Sequence, residues 1–238
     1  MSAFDDLLAV QDHDTAADRL RHRRDNLPEL GELASIEEAG AKVTAAMAEA
    51  AERAGEIGRR QRKLEDDLAS TESRIAEIEK RMYSGVVSVP RELQAMQADV
   101  ASLRRRRSDL EEEVLGVMTE AEPVDADLAR LQEERDHLDG EGARLRGVIA
   151  EMQVDIDGQL ALETEARQKA AAGLPPELSQ LYEQLRAKLG GVGAARFVNG
   201  RCDGCHLSLP ATEVDRIRHE SPDALIRCDQ CGRILVRT

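Results

Sequence analysis

Residues 83–90 read Tyr-Ser-Gly-Val-Val-Ser-Val-Pro, and this stretch interrupts two long segments of helical periodicity. Gly85 and Pro90 both disfavour a continuing helix, and proline suits the first position of a new one. About 82 residues precede the stretch, and about 82 more follow it before the next break at residues 173–176. The sequence therefore predicts a hairpin of two helices of similar length, with its turn near residues 84–90.

Apolar residues recur every seven positions on both sides of the turn, which is the pattern of a coiled coil. After the turn, nine apolar residues follow at this spacing: Met96, Leu103, Leu110, Val117, Val124, Leu131, Leu138, Leu145 and Met152. A companion track runs from Leu93 to Ile156. Before the turn, one track runs from Leu33 to Met82 and the other from Ile36 to Ile78. These tracks predict the seam of an antiparallel pair of helices, and a dimer of hairpins fits the same periodicity.

The charges of the two arms bear on how the hairpin pairs. A turn centred between residues 86 and 87 places residue i opposite about residue 173 − i. The arginines at 104–107 then face aspartates at 66–67, and the glutamates at 111–113 face a basic segment at 59–63. Each exposed ion pair contributes only roughly 0–1 kcal/mol, but several together disfavour a slipped register.

A second pattern decides the C-terminal part of the chain. Cys202-Asp203-Gly204-Cys205 and Cys228-Asp229-Gln230-Cys231 are two C-x2-C motifs separated by 22 residues, and they contain all four cysteines. Zinc prefers four tetrahedral ligands, and thiolates bind it well. We predict one structural Zn²⁺ held by Cys202, Cys205, Cys228 and Cys231. The alternatives are an iron–sulfur centre or a redox-active pair of disulfides.

The residues around these motifs are typical of a zinc ribbon. Short strands are expected at residues 196–198 and 206–209, on either side of the first motif, and at 225–227 and 234–236, on either side of the second. A short helix is expected at 210–219, with Thr212 and Asp215 at the spacing of a capping box. Gly204 is expected to relieve backbone strain in the first motif. A module of this size needs metal binding to fold.

The predicted fold class is therefore mostly α, with a long antiparallel coiled-coil hairpin and a small C-terminal zinc ribbon. The hairpin takes residues 1–172 and the ribbon residues 194–238. A linker at 173–193 joins them through a short helix from Leu178 to Leu189 and a glycine-rich segment, Gly190-Gly191-Val192-Gly193, that predicts freedom of the ribbon.

Composition argues against several other protein classes. Phe4, Tyr83, Tyr182 and Phe197 are the only aromatic residues, and 34% of the chain is charged. A large α/β enzyme domain fills its core with more aromatic rings than this. The chain has no phosphate-binding loop, no nucleophile elbow and no dinucleotide-binding motif. Four cysteines would also close the zinc shell, so we expect no enzyme and no small-molecule substrate. His206, beside Cys205, is expected to face solvent.

Net charge and hydropathy bear on partners and location. The net charge of −14 argues against non-specific nucleic-acid binding by the whole chain, although the last 66 residues carry nine basic and eight acidic side chains. No apolar run approaches the roughly 18–20 residues that span a bilayer, and the first ten residues do not have the pattern of a signal peptide. We expect a cytoplasmic protein with no membrane partner.

Six arginines of the predicted ribbon are candidates for a binding surface, because guanidinium groups match phosphate and carboxylate oxygens. They are Arg196, Arg201, Arg216, Arg218, Arg227 and Arg233. The alternative is ordinary surface charge, since acidic residues lie among them.

Several motifs together resemble a known family. These are Tyr83-Ser84-Gly85 at the turn with Pro90-Arg91-Glu92-Leu93 after it, Asn199-Gly200-Arg201-Cys202, and the segment from Arg227 to Leu235. The chain resembles the bacterial C4-type zinc-ribbon, coiled-coil hairpin proteins, once described as a domain of unknown function. That resemblance implies a non-enzymatic adaptor. Relatives are described as binding an alternative sigma factor, flagellar export components or a flagellar messenger RNA. Nothing in this sequence indicates a flagellar context.

Two hypotheses follow. The first is an adaptor that recognises an unidentified protein partner through the hairpin and the ribbon, favoured by an acidic surface and by valines at the turn. The second is RNA or DNA binding by the ribbon in gene regulation, favoured by its arginines and by the resemblance. A purely structural spacer is a third, weaker option.

Overall fold

The computed structural model describes residues 2–237 and confirms the predicted fold class: long helices dominate, and short strands follow near the C-terminal end. The helices are α1 (Ala3–Asp25), α2 (Pro28–Tyr83), α3 (Pro90–Ala171), α4 (Pro176–Lys188) and α5 (Ala211–His219). The strands are β1 (Ala194–Val198), β2 (Arg201–Cys202), β3 (Ile226–Arg227) and β4 (Ile234–Arg237). None of the described helices combines the length and the apolarity that crossing a lipid bilayer requires.

The first arm of the hairpin is two helices rather than one. α1 starts with a capping box in which the Ser2 backbone N–H donates to the Asp5 carboxylate at 2.8 Å and the Asp5 N–H donates to the Ser2 hydroxyl at 3.2 Å. It ends at Asp25, and α2 begins at Pro28. Because proline lacks an N–H and disfavours helical geometry in the preceding residue, the chain breaks immediately before Pro28.

The turn between α2 and α3 occupies residues 84–89. Gly85 has a φ of +74°, a left-handed conformation that glycine adopts without steric cost. The Ser84 hydroxyl donates to the Arg81 carbonyl oxygen at 2.8 Å and so satisfies one group at the end of α2. α3 then starts with Pro90 at its first position, followed by Arg91. Outside both helices, the Val86 side chain is 80% exposed.

The apolar seam of the hairpin follows the predicted heptads. Val43 and Ala50 of α2 pack with Leu131 of α3 in one buried cluster. All fully buried apolar residues that the structure describes in α2 and α3 lie on the predicted tracks. They are Val43, Ala50 and Ile75 in α2, and Val100, Leu110, Val117, Leu131, Leu145, Ile149 and Ile156 in α3. The sevenfold spacing thus identified the buried face of both helices.

One polar residue on the tracks has a specific partner across the seam. Arg135 occupies a heptad position, and its Nη1 atom donates to the Gly40 carbonyl oxygen at 2.9 Å and to the Thr44 hydroxyl at 2.6 Å. A Cβ atom at Gly40 would lie only 3.2 Å from the same nitrogen. Gly40 therefore provides the space in which the guanidinium group reaches the opposite backbone.

The predicted pairing of the charge runs is wrong in detail. Arg106 and Arg107 pair with Glu113 and Glu111 of their own helix rather than with the aspartates at 66–67. The ion pairs that do form across the hairpin follow a register different from the predicted one.

Arg60 pairs with Glu120 at 2.8 Å, and Glu79 with Arg104 at 2.6 Å. The partners' numbers add up to 180 and 183 rather than to 173. The difference has a geometric cause, because side chains on a helix lean toward its N-terminus. In an antiparallel hairpin, α2 side chains lean away from the turn and α3 side chains lean toward it, so the side chains that meet have backbone positions offset along the axis.

Two compact units divide the chain. One contains residues 33–144, and the other combines the residues up to Glu32 with those from Leu145 onward. This grouping differs from the predicted division at residue 172, because α1 and the end of α3 pack with the C-terminal elements. Leu7 and Val10 of α1 share a buried core with Tyr182 of α4 and Ile234 of β4.

A buried carboxylate joins the helices of this second unit. Asp14 of α1 is 5% exposed and accepts hydrogen bonds from the Tyr182 hydroxyl at 2.8 Å and from Arg167 Nε at 2.9 Å. Arg167 also pairs with Glu183, and Arg186 Nη2 donates to Asp18 at 2.7 Å. Buried charges are stable only when they are paired in this way. Burial and the Asp14 carboxylate raise the pKa of Tyr182.

The glycine-rich segment is hydrogen-bonded rather than free. The Gln11 side-chain oxygen accepts from the Gly193 N–H at 2.8 Å and from the Ala194 N–H at 3.2 Å, and its amide donates to the Gly191 carbonyl at 3.1 Å. Arg233 donates to the carbonyl oxygens of Val192 and Leu189 at 3.0 and 3.1 Å. The expectation that glycines free the ribbon is therefore wrong, because two distant side chains satisfy this backbone.

The four strands form one sheet in the order β2-β1-β4-β3. β1 runs parallel to β4, while β2 and β3 pair antiparallel with their neighbours. One face carries Ala194 and Ile234 against α1 and α4, and the other carries Phe197 and Leu235 against α5. The sheet is therefore buried on both faces.

Two local expectations for the ribbon are wrong. Residues 206–209 form no strand and contribute only a single bridge between Ser208 and Arg201, because His206 has a φ of +58° and turns the chain. α5 starts at Ala211 with Pro210 as its cap, so Thr212 lies inside the helix and makes no capping box.

Replacing Gln11 by alanine tests its role in the linker. Gln11→Ala would leave the buried N–H groups of Gly193 and Ala194 without an acceptor, at a cost of about 2–3 kcal/mol. Amide exchange at both positions should accelerate by about tenfold or more, measured by hydrogen–deuterium exchange. Gln132→Ala, which removes one exposed contact to Asp136 on α3, is the matched control and should leave that exchange unchanged. Equal protection in both variants would contradict the assignment.

Candidate metal centre

The two C-x2-C motifs fold into the same backbone structure. In the first, the Cys202 N–H donates to the Leu207 carbonyl at 3.1 Å, and the His206 N–H donates to the Cys202 carbonyl at 2.8 Å. In the second, the Cys228 N–H donates to the Arg233 carbonyl at 2.9 Å, and the Gly232 N–H donates to the Cys228 carbonyl at 2.7 Å. Each motif is thus a tight turn that presents two thiols to one point.

The turns need a left-handed residue four positions after their first cysteine. Gly232 fills this position in the second turn with a φ of +76°, and His206 fills it in the first with a φ of +58°. Gly204 has a different role from the one predicted, since its φ is not in the left-handed region. A Cβ atom there would lie 2.5 Å from Arg233 Cδ and 2.9 Å from Ala195 Cβ. Glycine is required because other residues approach it closely.

The four sulfur atoms lie together at the spacing of a zinc site. All four Sγ atoms fall within 4.8 Å of one another, and the Cys202–Cys231 and Cys205–Cys228 separations are 3.9 and 4.0 Å. A tetrahedron with zinc–sulfur bonds of about 2.3 Å has sulfur–sulfur edges of about 3.8 Å. These separations are also nearly twice the roughly 2.05 Å of a disulfide bond. The geometry fits one zinc ion bound by four thiolates.

Burial and hydrogen bonding differ between the first and second cysteine of each turn. Cys202 and Cys228 are buried, whereas Cys205 and Cys231 are half-buried. Burial raises the pKa of Cys202 to about 12, although the backbone N–H groups of Cys205 and Gly204 donate to its sulfur. Burial also raises the pKa of Cys228.

Cys231 differs from the two buried thiols. Burial acts to raise its pKa, but hydrogen bonds from the backbone and side chain of Arg233 help to outweigh that effect and lower the pKa to about 7. Hydrogen bonds to a thiolate also stabilise it as a metal ligand. Arg233 therefore supports the metal site on one side and the linker backbone on the other.

His206 lies next to Cys205 in sequence but outside the cluster of metal-binding side chains, which among the described residues contains the four cysteines alone. Its ring is exposed, with Nδ1 3.3 Å from Arg201 Nη2. The first motif therefore supplies two ligands and not three.

The structure does not bring the six candidate arginines together with free guanidinium groups. Arg196 pairs with Asp12 at 2.5 Å, and Arg216 pairs with Glu213. Arg227 donates to the Gly232 carbonyl at 3.0 Å. Arg233 binds the linker as described above, and Arg201 contacts His206. Arg218 is exposed on α5. Within residues 2–237, no ion pair is formed by Arg201 or Arg218.

The residues that position the ribbon were missed by sequence reasoning. Gln11, Asp14 and Asp18 recur on the face of α1 that also carries Leu7, and all three contact the linker or α4. The signal was available, since polar side chains interrupt an apolar helix face at helical spacing. The heptad rule does not find these residues, because α1 packs against α4 and the linker.

A protein-family model matches most of the chain. The model of the CT398-like coiled coil hairpin domain matches residues 10–190. The chain belongs to the CT398-like coiled-coil hairpin family. The model of the C4-type zinc ribbon domain matches residues 201–235, which include all four cysteines. Together with the sulfur geometry, this match makes the cluster a C4-type site for one structural zinc.

Three solved structures are similar to this chain over nearly its whole length. A structure from Mycobacterium smegmatis is 27% identical, with a TM-score of 0.75, and the match covers 100% of this chain and 98% of that one. CT398 from Chlamydia trachomatis is 21% identical, with a TM-score of 0.71 over 99% of this chain and 98% of that one. The HP0958 protein from Helicobacter pylori is 18% identical, with a TM-score of 0.53 over 99% and 97%. The last two likenesses show the fold alone.

An uncharacterized protein of Mycobacterium tuberculosis is 26% identical over 235 residues, which cover 97% of this chain and 94% of that protein. The relatives are thus bacterial and match the hairpin and the ribbon together.

Removing two zinc ligands tests the metal centre. In the double variant Cys202→Ser, Cys205→Ser, we expect zinc to fall from one ion per chain to less than about a tenth, because two ligands cannot close the tetrahedron. Helical circular dichroism should change little, since most helical residues lie outside residues 194–237. Asp203→Ser, within the same turn, is the control and should retain one zinc. Full zinc content in the double variant would contradict the site.

Zinc affinity should rise with pH. The ligands are thiolates, so binding must displace the protons of Cys202 and Cys228, whose pKa values lie above neutrality. Below about pH 7 the proton of Cys231 is displaced as well, and the dependence steepens. We expect the association constant to increase by up to about tenfold per pH unit for each proton displaced. Competition with a chromophoric chelator between pH 6 and 8 measures this. An affinity independent of pH would contradict the ligand assignment.

Proposed function

We propose that this protein is a non-enzymatic zinc-binding adaptor that recognises a protein partner through its coiled-coil hairpin and its zinc ribbon. The observation that carries the proposal is the apolar surface at the hairpin turn. Tyr83 is 84% exposed, Val86 80% and Val89 49%. These side chains lie outside the seam between α2 and α3, so they do not serve the packing of the hairpin. Exposed apolar side chains gathered in one place mark interaction sites.

The metal centre supports a binding role rather than catalysis. A catalytic zinc needs an open coordination position for water or substrate. Four thiolates fill the tetrahedron, and the two buried ones, Cys202 and Cys228, are enclosed by the ribbon core. A zinc held in this way stabilises a small fold and activates no water. Such a site requires reduced thiols, which fits a cytoplasmic location.

A protein partner is better supported than a nucleic acid. Arg196 and Arg216 form ion pairs with carboxylates. Arg227 and Arg233 donate hydrogen bonds to backbone carbonyl oxygens. Phosphate contacts depend on cationic groups that are free to displace counterions. Phe197, the ribbon's aromatic residue, is buried in the core and unavailable for stacking on bases. The chain as a whole is acidic, with a net charge of −14.

A capture experiment with matched variants tests the adaptor role. Three zinc-loaded full-length proteins are used as bait in lysate of the native cell. They are the wild type, the double turn variant Tyr83→Ser, Val86→Ser, and the control Val154→Ser. Val154 is also strongly exposed, at 73%, but lies on α3 away from the turn in sequence. A protein should co-purify with the wild type and the control, and at least about fivefold less with the turn variant.

Nuclease treatment and a salt titration distinguish the adaptor role from the alternative, nucleic-acid binding by the ribbon. Protein capture that survives nuclease supports the adaptor role. Capture of RNA or DNA alone, with an affinity that falls steeply between low and moderate salt, would instead support the nucleic-acid hypothesis. The adaptor proposal fails if the full chain retains no protein.

A further inference from the structure

An apolar groove lies beside the zinc ribbon, within the compact unit that contains α1 and α4. Its volume is about 590 Å³. Phe4 of α1 and Leu178 and Leu181 of α4 form one side, and Leu225, immediately before β3, forms the other. Leu225 is 50% exposed, and the three other side chains are only partly buried where they pack on the core. The groove therefore presents four large apolar side chains that the fold covers only in part.

The described side chains that give the groove its charge are acidic. Within residues 2–237, Glu177 and Asp223 are the charged residues that line it, and none of the lysines or arginines of that range does. Asp5 and Asp6 lie in the first turn of α1, directly after Phe4. Four carboxylates therefore lie in or beside the groove.

Several acidic residues of the same unit have arginine partners, whereas these two lining carboxylates have none among the described residues. Asp12, Asp14 and Glu213 are paired with arginines. Within residues 2–237, by contrast, Glu177 and Asp223 form no ion pair and no side-chain hydrogen bond. Acidic groups left unpaired at the rim of an apolar groove are complementary to a cationic, amphipathic ligand.

We propose that this groove binds a segment of a partner protein that carries apolar side chains flanked by lysine or arginine. Such a segment would place its apolar face on Phe4, Leu178, Leu181 and Leu225 and its cations beside Glu177 and Asp223. A groove between helices suits an amphipathic helix, whose anchors recur every three to four residues. This inference rests on the proposed function, since it adds to the hairpin turn a second surface of the adaptor and names the chemistry of the segment that binds there.

The test uses a random peptide library displayed on phage and selected on the zinc-loaded full chain. We expect selected peptides to combine apolar residues three or four positions apart with flanking lysine or arginine. Synthetic copies are then measured by fluorescence anisotropy. Leu225→Ser should weaken their binding by about tenfold, the loss expected when one anchoring contact is removed. Leu207→Ser is the control, because Leu207 is an equally exposed leucine of the ribbon (52%) outside the groove.

Charge reversal provides a second, independent readout. The double variant Glu177→Lys, Asp223→Lys should weaken the same peptides by about tenfold at low salt, and by less as salt rises. Glu112→Lys, Glu133→Lys, on exposed positions of α3, is the matched control and should change binding less than about twofold.

Three outcomes would overturn the inference: no enriched peptide, enriched peptides without basic residues, or binding that the groove variants leave unchanged. The adaptor proposal has a separate criterion. If native partners still co-purify with the full chain while the groove variants change nothing, the groove alone is excluded. If no protein co-purifies at all, the proposed function fails.

Discussion

The convergence of four thiolates on one zinc ion is the constraint on which the C-terminal ribbon and the packing around it depend. The ribbon strands are two to five residues long, and its core has few large side chains, so apolar burial alone cannot hold it. Each tight turn brings two sulfurs together, and the metal joins the turns. β1 and β4, which lie between the turns in the sheet, then present Ala194 and Ile234 to α1 and α4.

Polar contacts hold the zinc ribbon and the linker against the helices. Arg233 follows the second turn and reaches both the Cys231 sulfur and the carbonyl oxygens of residues 189 and 192. Gln11 satisfies the same linker from the side of α1, and the buried Asp14 ties α1 to α3 and α4. Because these groups are buried or partly buried, each loss would leave an unsatisfied partner. The ribbon, the linker and α1 therefore form one packed unit rather than a tethered head.

Much of this architecture was predictable from the sequence, because it depends on local rules. The heptad tracks identified the buried faces of α2 and α3, Gly85 and Pro90 marked the turn, and the cysteine spacing identified the metal ligands. The predictions that were wrong concern features that depend on the three-dimensional arrangement of the chain. The lean of side chains moved the ion pairs away from the predicted register. Pro28 divides the first arm into two helices. The left-handed backbone conformation of His206 turns the chain where a strand was predicted. Sequence alone could not show that Arg233 faces the protein while Arg218 faces solvent.

The proposed adaptor role and the zinc site share one requirement, namely that zinc organises the surface beside α1 and α4. X-ray absorption at the zinc edge of the purified full chain tests this most directly. One zinc per chain with four sulfur neighbours at about 2.3 Å is the predicted result. A first shell that contains nitrogen or oxygen, or a folded ribbon in a chain without bound metal, would contradict the account.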